Sequence, residues 1–167
     1  MRLLMDADGI IKLHRAGVLA HVIGTFPCTI PQAVYDEVVT RGKATLHQDA
    51  EEIETIISGV VSVLPAQRHQ QPELSLGAGE LAILSAIPQD EDSIVVSDDR
   101  RFLSILTTRG AEFLTPADML VVLARRGVLT GTEAGEALER LRPVIRVAAY
   151  RDARKDLELG GETHEEE

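Results

Sequence analysis

Apolar residues fall along this chain in two alternating kinds of run. Short blocks recur at residues 2–6, 28–30, 60–64, 94–97 and 112–114, built on Leu3-Leu4-Met5, Cys28-Thr29-Ile30, Val60 to Leu64, Ile94-Val95-Val96 and Phe113-Leu114. Each reads as a short strand. Between them lie stretches with helical spacing. Residues 9–23 read as one or two helices broken near Gly17. Pro31 fits the first position of a helix reaching about Thr40. Residues 47–58 carry Ile53, Ile56 and Ile57 as their apolar stripe. Residues 77–87 form a helix closed by Pro88, residues 100–108 another, and Pro116 opens one ending near Arg126. Residues 65–76 are polar, contain Pro72 and read as a loop.

Strands alternating with helices predict an α/β fold: a central, mostly parallel sheet of about five strands between two helical layers. After Gly127 the pattern changes. Residues 132–142 and 147–158 read as amphipathic helices with no further strand. The predicted organisation is a core domain over 1–128, a helical extension over 129–159 and a disordered acidic tail over 160–167.

Composition narrows the classes. A chain of 167 residues with 44% hydrophobic and 26% charged content is long enough for one domain with a real core. No run approaches the ~20 apolar residues of a membrane span. Asp6 interrupts any signal-peptide core, and the single cysteine, Cys28, excludes an intrachain disulfide and a cysteine-based zinc site. A reducing cytoplasm is the expected setting. A net charge of −10 argues against a broad basic grip on nucleic acid, and 3% aromatics argue against a base-stacking platform. A nuclease remains open, because bound metal supplies positive charge where a phosphate sits.

The candidate chemistry lies in acids at the edges of apolar runs. Asp6 and Asp8 follow the first strand, and Asp98 and Asp99 follow the fourth. In such folds sites form at the carboxyl ends of strands. Glu37 shares a predicted helix face with Ala33 and Val34, whereas Asp36 faces Gln32 and Thr40 and reads as solvated. Glu80 leads the stripe Ile83, Leu84 and Ile87, which first-turn stabilisation alone does not explain. Each acid has a plainer role as a helix cap or ion-pair partner, and one member of each aspartate pair is expected to cap. Asp99 is the favoured ligand, with Asp98 as cap or outer support. Carboxylates converging in one site repel one another unless a divalent cation completes them. His14, His21, His47, His69 and His164 show no ligand spacing, and Arg100 and Arg101 stand where they could hold a phosphate backbone.

Four segments in order resemble the PIN-domain family of metal-dependent ribonucleases. They are Leu3-Leu4-Met5-Asp6-Ala7-Asp8, then Thr29-Ile30-Pro31 through Asp36-Glu37-Val38, then Leu76-Gly77-Ala78-Gly79-Glu80, then Val95-Val96-Ser97-Asp98-Asp99-Arg100-Arg101-Phe102 followed by Phe113-Leu114-Thr115-Pro116. The match covers roughly residues 1–126 and departs from the family pattern at Ala7, Asp8 and Glu80. The resemblance implies a PIN-like catalytic domain hydrolysing RNA phosphodiesters with Mg²⁺ or Mn²⁺. Asp6, Glu37, Glu80 and Asp99 would be the ligands, with Asp8 and Asp98 beside them. It further implies the toxin role of small prokaryotic members, a small antitoxin partner and a homodimer. Two rivals stand beside it. Leu4-Met5-Asp6-Ala7-Asp8-Gly9 also resembles the nucleophile motif of haloacid-dehalogenase phosphatases, but none of Lys12, Lys43 and Lys155 is well placed for that mechanism. The other rival is a PIN-like scaffold that binds without catalysis.

Overall fold

A computed structural model describes residues 1–45, 47–65, 75–87 and 92–161. Five strands form one parallel sheet: β1 (Arg2–Met5), β2 (Cys28–Pro31), β3 (Ser62–Leu64), β4 (Ser93–Val96) and β5 (Phe113–Leu114). Their order across the sheet is β3-β2-β1-β4-β5. The chain moves outward from β1 in one direction through β2 and β3, then returns to place β4 on its other side. With right-handed crossovers, the helices on the two sides of β1 cover opposite faces. The crevice between the carboxyl ends of β1 and β4 is therefore the natural place for a site.

The helices are α1 (Ala7–Arg15), α2 (Leu19–Thr25), α3 (Gln32–Tyr35), α4 (Gly42–Ala44), α5 (Asp49–Ile57), α6 (Ala78–Ala86), α7 (Arg100–Thr108), α8 (Pro116–Arg125), α9 (Gly131–Leu141) and α10 (Val147–Gly161). The break near Gly17 is real, with this glycine at φ +75. Pro31 does not open a helix as predicted. It ends β2 and precedes α3 with extended ψ, because it pairs with Leu64 of β3. The following helix is not uniform either: α3 passes into a π-helical stretch, Asp36–Arg41, before α4. The Pro88 stop, most of the predicted 65–76 loop and residues 162–167 of the predicted tail lie outside the described residues.

The core is continuous across the sheet. Leu3, Met5, Ile30 and Val96 are fully buried, as expected of strands covered on both faces. Helix α7 turns Phe102, Leu103 and Leu106 inward. Helices α9 and α10 belong to the same apolar cluster through Ala134, Ala137, Leu138, Leu141 and Ala153. Arg140 of α9 also donates to the Ala16 carbonyl, 3.0 Å away at the end of α1. The start of α8 is set by Thr115, whose hydroxyl accepts from the Asp118 amide at 3.2 Å while the Asp118 carboxylate accepts from the Thr115 amide at 2.8 Å. Thr115→Ala removes half of this reciprocal cap and should lower stability by about 1 kcal/mol, read as a shifted urea midpoint at unchanged slope.

Candidate active site

Strand register places the first acid. Met5 pairs with Val96, so the residues just beyond them, Asp6 and Ser97, are neighbours. Asp6 caps α1: its Oδ1 accepts from the Gly9 amide at 2.6 Å, and its Oδ2 accepts from the Ser97 hydroxyl. Gly9 is required there. A Cβ at this position would stand 2.6 Å from the Val96 carbonyl oxygen, a backbone atom with no room to yield. Gly9→Ala should therefore cost about 1–3 kcal/mol by overpacking, seen as a lower melting temperature.

Asp6 is only 4% exposed. Burial pushes its carboxyl up to about 7; the hydrogen bonds from Ser97 and Gly9 pull downward, and the charges of Asp8 and Glu80 push upward. Glu80 is half-buried, and its carboxyl is also raised, first by burial. The Gly77 amide opposes that shift, the charges of Asp99 and Glu37 add to it, and Arg101 counteracts it. Asp6 and Glu80 thus feel the charges of acids that come from four separate segments.

They line one cavity. Asp6, Ala7, Asp8, Glu37, Gly77, Gly79, Glu80 and Asp99 enclose about 220 Å³. Gly79 permits the closeness of α6 to α3, since a Cβ there would meet Val34 Cγ2 at 2.9 Å and a Glu37 carboxylate oxygen at 3.5 Å.

Several local expectations are corrected. Glu37 is exposed rather than buried on an apolar face; it lies in the π-helical stretch, with Val38 and Val39 taking the inward positions. Asp36 meets Gln32 as expected, accepting from it at 2.9 Å, but it is half-buried rather than solvated. Glu80 does cap: its carboxylate accepts from the Gly77 amide at 2.7 Å, so its place near the helix start has a structural reason beside its place in the cavity. Asp98 is not the cap of α7. Asp99 is, accepting from the Phe102 amide at 2.8 Å. Asp98 turns away to Lys12, whose Nζ stands 2.7 Å from Asp98 Oδ2 and 2.8 Å from Asp8 Oδ2. Burial alone would lower the Lys12 pKa, but its hydrogen bonds to Asp8 and Asp98 outweigh this and hold it above the ordinary lysine value. Arg101 is exposed and donates to the Ser75 hydroxyl at 3.2 Å; Arg100 opens α7, also exposed.

Lys12 and Ser97 are the residues sequence reasoning passed over. The i,i+4 spacing of Asp8 and Lys12 was a usable signal for the first contact. Nothing in the sequence announces the second, which spans 86 positions.

A family model described as a PIN domain matches residues 2–149. The chain belongs to the PIN-domain family. The five-stranded parallel sheet, with helices on both faces, is the three-layer fold expected of it. The family match runs through α9 into α10. No curated protein matches the chain. PIN domains are generally nucleases and typically use divalent metal.

The donor set of this PIN domain is chemically suited to such an ion. Every side chain with an ionisable group on the cavity wall is a carboxylate, and hard divalent cations prefer oxygen. Yet among the described residues no three His, Cys, Asp or Glu side chains stand close enough to grip an ion directly. The acids ring a space instead. Its volume holds several waters at about 30 Å³ each, which suits Mg²⁺, an ion that keeps much of its hydration. Among the described residues no helix is long and apolar enough to cross a membrane.

Proposed function

We propose that this PIN domain is an endoribonuclease that hydrolyses RNA phosphodiesters with Mg²⁺ or Mn²⁺. The observation that carries this reading is the meeting of Asp6, Glu37, Glu80 and Asp99 around one cavity at the carboxyl ends of β1 and β4. A bound divalent ion would lower the pKa of its water and offset charge on the scissile phosphate.

The chain's own residues set up the rest. Ser97 and the Gly9 amide fix the Asp6 carboxylate in one orientation. The Gly77 amide fixes Glu80, and the Phe102 amide fixes Asp99. Glu37 is the least restrained of the four and is exposed, so it can adjust as substrate arrives. Arg101, close enough to Glu80 to shift its titration, offers a cation for an RNA phosphate at the cavity edge. Arg100 has the same role on the first turn of α7. A toxin setting, with a small antitoxin as partner, is part of this reading and rests on the family resemblance.

A non-catalytic PIN scaffold is the second reading, favoured by the open spacing of the acids. The phosphatase reading has less support. Lys12 serves Asp8 and Asp98, while Asp6 is held by Ser97 and Gly9. One assay separates the first two readings: incubation of the purified chain with RNA, with Mn²⁺ or with chelator. Internal cleavage that needs the ion supports the nuclease; intact RNA in both arms supports the scaffold.

A further inference from the structure

Lys12 lies one helical turn beyond Asp8 on α1 and does not line the cavity; Asp8 does. Its ammonium sits behind Asp8, between α1 and the turn joining β4 to α7. It bridges the two acids, donating to Asp8 Oδ2 at 2.8 Å and to Asp98 Oδ2 at 2.7 Å. The Asp98 side chain is 2% exposed. Its other oxygen, Oδ1, is buried and has no hydrogen-bond partner among the described residues. A buried carboxylate with an unmet oxygen is costly, and the Lys12 ammonium beside it offsets part of that cost.

The acid count of this region exceeds what one ion needs. Asp6, Asp8, Glu37, Glu80 and Asp99 line the cavity, and Asp98 adjoins it. Two ions sharing one phosphate stand about 3.5–4 Å apart, so a second ion needs carboxylate oxygens beside those that hold the first. The acids of this region outside the set Asp6, Glu37, Glu80 and Asp99 are Asp8 and Asp98, the natural further ligands of a second ion. Both are already committed to a cation, and a divalent ion on the same carboxylates would face the Lys12 ammonium at short range.

We propose that the Lys12 ammonium holds the cation position between Asp8 and Asp98, so that this chain takes one divalent ion, among Asp6, Glu37, Glu80 and Asp99, and not two. The inference rests on the metal-dependent reading above and assigns Lys12 a positioning role within it.

The test counts Mn²⁺ bound per chain at saturation, by calorimetry and by the paramagnetic resonance of free ion. Folding of every variant is checked by circular dichroism. Wild type and Lys12→Arg should each bind one ion. Lys12→Gln keeps an amide that can donate to both carboxylates but removes the charge, and it should bind two. Two ions on wild type, or one on folded Lys12→Gln, would overturn the inference and leave the metal reading standing. No ion on wild type would overturn both. Should Lys12→Gln fail to fold, Asp98→Asn decides. Retention of the single ion supports the assignment, and loss of that ion overturns it by making Asp98 a ligand.

Discussion

Asp6→Asn should remove metal-dependent RNA cleavage while leaving a well-folded protein. Asparagine is as good a helix cap as aspartate, so the hydrogen bond from the Gly9 amide is kept. The change deletes a charge from a 4% exposed position, which relieves the burial penalty. What it takes away is an anionic oxygen facing the cavity. Even partners one layer outside a metal typically contribute about 10–100-fold, so loss of a ligand should lower the cleavage rate by at least roughly a hundredfold. Asp99→Asn should behave alike, because its cap to Phe102 also survives the swap. Cleavage assays paired with thermal melts check both. Full activity in either variant with an unchanged melt would remove that residue from the proposed site.

The second large effect concerns pH. In the unfolded chain the Asp6 carboxyl titrates near 3.8, and in the folded protein near about 7. The folded state therefore holds this proton more tightly. Its favourable contribution is fully present below the unfolded value and is lost as pH rises through the folded one. Between those limits, ion-free protein should lose stability on the order of 4 kcal/mol from this group. Denaturant titrations from about pH 4 to pH 8, with wild type and Asp6→Asn in parallel, isolate the effect. The variant should show a visibly flatter profile, and coincident profiles would refute the assignment. Millimolar Mn²⁺ added above the window should raise the wild-type melting temperature, since an ion that binds only the folded state stabilises it.

How much of this was readable beforehand differs from element to element. Strands β1 and β4 are dense apolar runs ending in aspartates, so burial and chain direction were both implied. Helix α7 came out with the predicted bounds because Asp99 caps it and Phe102, Leu103 and Leu106 give it a clear inward face. The site's acids were legible for the same reason: a carboxylate bordering an apolar run needs an explanation. The π-helical stretch was not legible, because an ordinary helical period assumes an ordinary helix. That assumption put Glu37 on the wrong face. Asp98 and Asp99 could not be told apart, since both precede the same helix and only the reach of Lys12 across the fold separates them. The place of α9 in the core was hidden for a similar reason. Its stripe of Ala134, Ala137, Leu138 and Leu141 declares a buried face but not what covers it.

Helix α1 is fastened at both ends. Asp6, Asp8 and Lys12 secure it beside the cavity, and Arg140 secures the carbonyl of Ala16 at the other end. Nine residues of helix span roughly 14 Å, with no loop between the two fastenings. The helix is thus a strut between the acidic rim and the C-terminal layer. Force applied to α9 would reach the rim as a push or pull along a stiff rod, so the far side of the molecule is mechanically close to its chemistry.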